Sequence, residues 1–177
     1  KSNKKTHVNL TNHSYWNLEK IKKNMIYNHE LRLNSNKYLQ IDKDLIPTGK
    51  TKRVKNSIYD FLKFQNLGKK LNFFKNKKID LKHKGFDTTY IVKKNSRNFV
   101  GSLKNKNSNI QVNFFSNLPG VQLYSAQNLN YKKKLFPYHG ICLETQYFPD
   151  TPNKKNFPST LIKANKRYTC FTKIKIY

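Results

Sequence analysis

The stretch Tyr138–Asn153 reads Y-H-G-I-C-L-E-T-Q-Y-F-P-D-T-P-N and carries a carboxylate, Glu144, inside an apolar run. An acid in that position is unusual here, because 36 Lys+Arg outnumber 9 Asp+Glu along the chain. As a strand, the run puts Glu144 on one face with Cys142, Gln146 and Phe148. Partial burial there raises the pKa of a carboxylate and makes it a better proton acceptor near neutral pH. A half-buried glutamate held by a lysine fits the same pattern, so this stretch alone leaves both interpretations open.

Short alternating or apolar runs recur along the chain, with turn residues between them. Aromatic residues make up 14% of the chain and alanine is nearly absent, which favours β-structure over a helical bundle. No repeat or linker marks a boundary, so we expect residues 1–177 to belong to one all-β, antiparallel domain, a sandwich or a barrel. The predicted strands are Val8–Trp16, Glu30–Leu33, Tyr38–Ile41, Ile79–Lys82, Thr89–Val92, Ile110–Phe115, Val121–Ser125, Ile141–Phe148 and Thr169–Tyr177.

The segments between these runs carry the remaining local predictions. Ser57–Leu67 is the best candidate for a short helix, and Pro47-Thr48-Gly49 has the composition of a turn. The lysine-rich stretches Lys69–Lys78 and Lys93–Asn109 are typical of exposed loops and hairpin ends. We therefore expect the chemistry to lie outside them.

A formal net charge of +27 raises the question of nucleic acid. Lysine outnumbers arginine 32 to 4, whereas the residues that grip phosphate in bidentate fashion are mainly arginines. The lysines are also scattered, and the longest run is Lys132-Lys133-Lys134. We interpret the charge as drift onto solvated positions and expect no specific nucleic-acid partner, although charge alone leaves nucleic-acid binding open.

Cys142 and Cys170 allow at most one disulfide and match no metal-binding spacing. Reduced, packed thiols and a cytoplasmic protein are the expectation. No apolar run approaches the roughly 20 residues needed to cross a bilayer, so we expect no membrane partner.

A second candidate region is Val8–Trp16, with the sequence V-N-L-T-N-H-S-Y-W. Read as a strand, it places Asn9, Thr11, His13 and Tyr15 on one face, a row of hydrogen-bonding groups with a titratable imidazole. Such a row suits a polar ligand the size of a sugar. A histidine satisfied beside a turn is the competing interpretation.

Two further polar residues precede or follow turns. Asp87 lies in G-F-D-T-T-Y, where an Asx turn or a lysine partner also accounts for it, and Gln122 lies in P-G-V-Q-L-Y-S. Either side chain could bind ligand hydroxyls. Cys142 and His139 suggest thiol catalysis, but nothing in the sequence orients such a pair, so a packed cysteine and a loop histidine are favoured.

Taken together, N-L-T-N-H-S-Y-W-N-L, I-P-T-G, S-I-Y-D-F, G-F-D-T-T-Y, P-G-V-Q-L-Y-S and C-L-E-T-Q-Y-F-P-D-T-P-N closely resemble the C-terminal half of the aldose 1-epimerase (galactose mutarotase) family. The resemblance runs from about Val8 to Tyr177 and keeps the family's order. It implies a large antiparallel β-sandwich, incomplete in this chain, that interconverts the α and β anomers of free hexoses such as galactose and glucose.

Carried over position by position, the resemblance makes His13 the general acid and Glu144 the general base, on opposite sides of the sugar. The other matching positions contact the sugar: Asp87 and Gln122 at its hydroxyls, and Ser14 and Tyr15 beside the acid. The implied partner is an aldohexose, and neither a metal nor an organic cofactor is expected. The oligomeric state is not indicated.

This sequence also departs from the family pattern. The family's N-terminal half, with an Arg and a second His at the sugar, has no counterpart here, so we expect a fragment, a truncated gene product or one part of a longer protein. Thr88 stands where the family usually has a His. Two alternatives remain beside the epimerase: a non-catalytic carbohydrate-binding remnant of the fold, and a glycosidase that uses Asp87 and Glu144 as paired carboxylates.

Overall fold

The computed structural model of the chain describes residues 1–21, 24–75, 80–132 and 134–177. Within those ranges the chain is built mainly of antiparallel strands, with one α-helix, α1, at Leu67–Lys75. The strands are β1 (Thr6–His7), β2 (His29–Leu33), β3 (Lys37–Ile41), β4 (Pro47–Arg53), β5 (Gln65–Asn66), β6 (Asp87–Ile91), β7 (Phe99–Asn105), β8 (Ile110–Ser116), β9 (Gly120–Tyr124), β10 (Cys142–Gln146), β11 (Leu161–Ile162) and β12 (Thr172–Ile176). Short 3₁₀ helices lie at Ile26–Asn28, Leu81–His83 and Thr151–Asn153.

Two five-stranded sheets form the body of the molecule. The first sheet has the order β10-β9-β6-β3-β4, and the second sheet has the order β12-β8-β7-β2-β5. Neighbouring strands in both sheets are antiparallel, and β1 and β11 form a separate two-stranded pair. The prediction of an all-β, antiparallel sandwich is therefore confirmed.

One hydrophobic core joins the inner faces of the two sheets. Side chains alternate along each strand, so every second residue points into this core. The first sheet contributes Tyr90, Val121 and Leu123, and the second contributes Leu31, Leu103 and Phe114, all with at most 1% of their surface exposed. On its outward face the first sheet carries polar side chains from β6, β9 and β10, together with a smaller hydrophobic cluster of Leu39, Phe148 and Phe157.

Seven of the nine predicted strands are confirmed, with boundaries shifted by a few residues: those that correspond to β2, β3, β6, β8, β9, β10 and β12. Val8–Trp16 is not a regular strand, since only Trp16 forms an isolated bridge, with Ile141. Of the predicted strand Ile79–Lys82, Ile79 lies outside the described residues. Leu81 and Lys82 belong instead to the 3₁₀ helix at Leu81–His83.

The helix prediction at Ser57–Leu67 is wrong. The Ser57 hydroxyl donates to the Val54 carbonyl, and the Asp60 carboxylate accepts the backbone N–H groups of Asn56 and Leu62. Such local side-chain bonds compete with helical hydrogen bonds and hold the segment in turns. The helix α1 begins only at Leu67.

Two predicted loops contain regular structure instead. Lys69–Lys78 largely overlaps α1, which buries Leu71 and Phe74 against the core, while residues 76–78 lie outside the described part. Lys93–Asn109 contains β7, whose apolar side chains pack inward despite the flanking lysines. Pro47-Thr48-Gly49 is likewise no turn but the start of β4, beside a register shift in its pairing with β3.

No helix among the described residues is long and apolar enough to cross a membrane. Both cysteines are free, and Cys142 is buried.

Candidate active site

Three adjacent strands of the first sheet present polar side chains on its outward face. In the antiparallel register Glu144 of β10 lies opposite Gln122 of β9, and Tyr124 of β9 lies opposite Asp87 of β6. Residues opposite one another in register share a face. The sheet therefore brings together a glutamate and an aspartate that are 57 positions apart in the sequence.

The segment that contains His13 runs beside the edge strand β10 and is attached to it at both ends. The Asn9 side chain bonds both the backbone N–H and the carbonyl of Tyr147, and Trp16 exchanges backbone hydrogen bonds with Ile141. Between these anchors the chain leaves regular pairing and folds over the face of the sheet. His13 consequently reaches the carboxylate from outside the sheet.

His13 and Glu144 are in direct contact. Nε2 of His13 lies 3.5 Å from Oε1 of Glu144, and the side chain of His13 is 49% exposed against 8% for Glu144. Nδ1 of His13 lies 3.5 Å from Sγ of Cys142, the next residue on the same face of β10. The expectation of an acid and a base on opposite sides of the sugar is corrected by this contact: the two groups lie side by side on one wall.

The environment of Glu144 favours its protonated form more than water does. Burial raises the pKa of the Glu144 carboxyl above its ordinary value. His13 opposes the increase, while the neighbouring Asp87 carboxylate adds to it. The sequence left open a lysine as the partner of Glu144, whereas the observed partner is His13.

Asp87 is held by a short chain of hydrogen bonds along the sheet. Nε2 of Gln122 donates to Oδ1 of Asp87 at 2.6 Å, and the Thr89 hydroxyl donates to Oε1 of Gln122. Burial raises the pKa of the Asp87 carboxyl, against the lowering effects of the Gln122 bond and of His13. Because Gln122 occupies only Oδ1, Oδ2 can accept a hydrogen bond from a ligand.

These side chains surround an open cleft of about 440 Å³. A cleft of this size lies within the range of small-molecule sites. No lysine or arginine is among the described residues that line it. A second depression, of about 560 Å³ over the second sheet, differs in its lining. Its described lining residues include arginine, lysine and phenylalanine but no aspartate or glutamate. The lining residues of the cleft are His13, Tyr15, Asp87, Gln122, Tyr124, Glu144, Gln146 and Pro149.

Two tyrosines supply the aromatic part of the cleft. The Tyr15 and Tyr124 rings meet nearly edge to face, with centroids 6.4 Å apart, and Tyr15 also lies 5.0 Å from the His13 ring. An apolar ring surface beside hydrogen-bonding groups is the usual composition of a site for a small polar ligand.

Five of the six residues predicted for the site line this cleft. The exception is Ser14, whose hydroxyl donates to Oδ1 of Asn12 instead. Tyr124 and Gln146 were not among the predicted site residues. The signal for them was present, since each follows a predicted residue, Gln122 or Glu144, by two positions along a strand.

The considered pairing of Cys142 with His139 is also not observed, since the Cys142 thiol contacts His13. Burial raises the pKa of this thiol, and the charges of Glu144 and Asp87 raise it further. The thiol form is thereby favoured over the nucleophilic thiolate. Cys142 is a packed residue beside the imidazole.

Comparison with known proteins places the chain in a family. The family model described as Aldose 1-epimerase matches residues 1–175. Galactose mutarotase of Pongo abelii is 35% identical over an aligned length of 170, and the alignment covers 92% of this chain and 48% of the relative. Aldose 1-epimerase of Haemophilus influenzae is 31% identical over an aligned length of 180, and the alignment covers 97% of this chain and 52% of the relative. The chain thus spans about half the length of the curated relatives it matches.

Solved structures agree in fold. A GalM/aldose epimerase homologue from C. elegans superposes with a TM-score of 0.81 at 22% identity, over 98% of this chain and 51% of the other. Galactose 1-epimerase from Lactobacillus acidophilus gives a TM-score of 0.77 at 22% identity, over 99% and 50%. With the family model covering nearly every residue, this chain belongs to the aldose 1-epimerase family.

Proposed function

We propose that this chain carries the acid–base half of an aldose 1-epimerase site, which interconverts the α and β anomers of free hexoses such as galactose and glucose. The observation that supports this most directly is the contact between His13 and Glu144, 3.5 Å apart in a cleft that also holds Asp87. Membership of the family supplies the reaction class.

In the proposed mechanism Glu144 accepts the proton of the anomeric hydroxyl while a protonated His13 donates one to the ring oxygen. The C1–O5 bond breaks and the sugar opens to its aldehyde. Rotation about C1–C2 exposes the other face of the carbonyl, and closure reverses both proton transfers. Each group contributes on the order of 10²–10⁴-fold in typical cases of general acid–base catalysis.

The side-by-side arrangement suits this reaction. The anomeric oxygen and the ring oxygen are bonded to the same carbon, so their partners on the protein must be neighbours. His13 and Glu144 meet that requirement from one wall of the cleft. The raised pKa of the Glu144 carboxyl makes its ionised form a stronger base than an exposed glutamate.

Sugar binding falls to the remaining lining residues. Asp87, held through Oδ1 by Gln122, accepts a sugar hydroxyl at Oδ2, and the rings of Tyr15 and Tyr124 cover the C–H surface of the pyranose. Ser14 acts indirectly in this scheme, because its bond to Asn12 helps to fix the loop that carries His13.

The test is polarimetry of freshly dissolved α-D-galactose and α-D-glucose. The chain is expected to shorten the approach to the equilibrium rotation in proportion to its concentration, relative to the same buffer without protein. A folded chain that leaves the spontaneous rate unchanged contradicts the proposal. Galactose binding by calorimetry without any acceleration identifies the non-catalytic carbohydrate-binding alternative, and release of nitrophenol from an aryl glycoside identifies the glycosidase.

The proposal names a free aldohexose as the partner, and neither a membrane nor a specific nucleic acid. The cytoplasm is the proposed compartment, because both cysteines are free, as a reducing environment leaves them. Electrophoretic mobility shift with single-stranded and duplex oligonucleotides tests the nucleic-acid part. Binding that prefers one sequence over another at constant salt contradicts it.

A further inference from the structure

One buried side chain beside the cleft has no part in the proton transfers. Cys142 lies two residues before Glu144 on the same face of β10, and its Sγ lies 3.5 Å from Nδ1 of His13. Ligand atoms of Cys142, His13 and Glu144 all lie within 4.8 Å of one another. A sulfur, a nitrogen and an oxygen donor therefore lie around one point at the wall of the cleft.

Two of the separations match those of a zinc site, and with a single nitrogen of His13 the three donor atoms lie within 4.8 Å of one another. Zinc–ligand bonds are about 2.0–2.3 Å long, so the donor atoms of a tetrahedral ion lie roughly 3.3–3.8 Å apart. The sulfur-to-nitrogen and nitrogen-to-oxygen distances here are both 3.5 Å, although they use different nitrogens of His13. One ion takes one nitrogen, and the half-exposed imidazole can make the small rotation that this requires.

The positions of the three ligands are set by different parts of the fold. Cys142 and Glu144 project from a strand that is paired along its whole length with β9. His13 lies on the segment held between the Asn9–Tyr147 and Trp16–Ile141 contacts. Two ligands on a rigid strand and one on an anchored loop make the cluster preorganised, and two of the three, His13 and Glu144, line the cleft.

The donor types select the metal. Magnesium and calcium take oxygen ligands, whereas a thiol together with an imidazole suits zinc. Three protein ligands with a fourth position open is the arrangement of zinc sites that exchange ligands with solvent. A further carboxylate in the cleft, Asp87, adds negative charge that attracts a divalent cation.

We propose that His13, Cys142 and Glu144 form a binding site for Zn²⁺, and that the bound ion and the sugar exclude each other. Binding forms the Zn–S, Zn–N and Zn–O bonds and releases the thiol proton to water. The mutual exclusion of ion and sugar rests on the proposed function, because an ion bound to Glu144 and His13 occupies the lone pairs that proton transfer needs. The site would make the epimerase sensitive to free zinc.

Titration with Co²⁺, a spectroscopic substitute for Zn²⁺, tests the site without reference to catalysis. A thiolate bound to Co²⁺ gives a charge-transfer band in the near ultraviolet, and competing Zn²⁺ is expected to abolish it. Cys142→Ser is expected to lose the band, and Cys170→Ser, which changes the chain's other cysteine, is expected to keep it. A band that survives Cys142→Ser, disappears with Cys170→Ser or never forms in the wild-type chain overturns the proposal.

The remaining ligands have controls as well. Glu144→Gln is expected to weaken Zn²⁺ binding by on the order of 100-fold. Loss of a residue that only bonds to a metal ligand already costs about 10–100-fold in affinity, so loss of a ligand should cost at least the upper end of that range. Glu30→Gln on the second sheet is the control and is expected to leave Zn²⁺ binding unchanged. Equal affinity in Glu144→Gln and the wild-type chain contradicts the site. If Cys142→Ser does not fold, His13→Ala replaces it, because its half-exposed side chain can be removed with little loss of packing.

Polarimetry with added Zn²⁺, followed by a chelator, tests the exclusion of the sugar, with sugar and Zn²⁺ without protein as the baseline. Inhibition that the chelator reverses is expected. An active chain that binds Zn²⁺ with an unchanged rate overturns the exclusion. If the chain proves inactive but Cys142→Ser loses the cobalt band, the proposed function fails while the metal site stands.

Discussion

Glu30 and Glu144 lie on different sheets, and the charged groups around their carboxylates differ. Glu30 on the outward face of the second sheet is bonded by Lys104 at 3.1 Å and Lys106 at 3.4 Å. Burial raises the pKa of its carboxyl, but the two lysines outweigh that effect and the net result is a lowered pKa. Glu144 on the first sheet has a histidine and an aspartate beside it, and its pKa is raised.

The comparison shows that the net charge of +27 does not decide the local chemistry. Lysines surround one carboxylate and are absent from the described lining of the cleft that holds the other. A carboxylate paired with lysine is a weak base, whereas one desolvated beside an imidazole can exchange protons near neutral pH.

Removal of the imidazole should have an effect as large as removal of the Glu144 carboxylate. His13→Gln is expected to lower kcat by on the order of 10²–10⁴-fold, the usual contribution of one general acid. His139→Gln changes a histidine outside the cleft and is expected to leave the polarimetric rate unchanged. Equal rates for the two variants would contradict the role of His13.

Asp87→Asn tests the carboxylate assigned to sugar binding. Loss of a charged acceptor is expected to cost about 1.5–3 kcal/mol of binding, which is roughly 10–150-fold in KM, with a smaller change in kcat. Galactose calorimetry and polarimetry measure the two quantities separately. A fall in kcat at unchanged KM would contradict the role of Asp87 in sugar binding and indicate a role in proton transfer instead.

His29 extends the comparison to the histidines, because it lies fully buried under the second sheet while His13 is half exposed. Its Nε2 accepts the Leu18 backbone N–H at 2.7 Å, and burial lowers its pKa from 6.5 to about 4, with the charge of Glu19 opposing. The unfolded chain therefore binds the proton more readily than the folded chain. Stability is complete above pH 6.5 and is lost as the pH falls towards 4, by about 2 kcal/mol at pH 5.

Urea unfolding at pH 7.5 and pH 5 measures this loss. His29→Gln retains an oxygen that can accept the Leu18 N–H but removes the titration, so it should flatten this part of the pH dependence. His83→Gln, which changes a less buried histidine, should leave it intact. An unchanged slope in His29→Gln would show that other groups account for the acid sensitivity.

Gln146→Lys brings the lysine environment of Glu30 to the cleft, because Gln146 follows Glu144 by two positions on β10 and lines the same cleft. A cation there should lower the pKa of the Glu144 carboxyl and weaken it as a base, so we expect kcat to fall by about 10-fold. Gln146→Met controls for the change of shape. If the two variants lose the same activity, charge is not the cause.

The strands were largely predictable from the sequence, because alternation is a local signal that survives the lysine-rich composition. It failed where local side-chain bonds compete with regular structure, as at Ser57 and Asp60. It failed again where apolar residues in lysine-rich segments are buried, as with Phe74 in α1 and Leu103 in β7.

The site was predictable to a different degree. The strand pattern singled out Glu144, whereas the assignment of Asp87 and Gln122 came from the resemblance to the family. The register of β10, β9 and β6 then brings the three side chains to one face. The contact between His13 and Cys142 spans 129 positions and depends on an irregular segment anchored at both ends. No local pattern specifies such a contact, so the side-by-side placement of acid and base required the three-dimensional fold.

In the proposed mechanism Glu144, and not glutamate in general, carries proton transfer. Polarimetry of fresh α-D-galactose with Glu144→Gln and Glu30→Gln at equal concentration tests this role, with circular dichroism to confirm that both variants fold. We expect a loss on the order of 10²–10⁴-fold for Glu144→Gln and a rate unchanged from wild type for Glu30→Gln. A folded Glu144→Gln chain that retains the wild-type rate would contradict it.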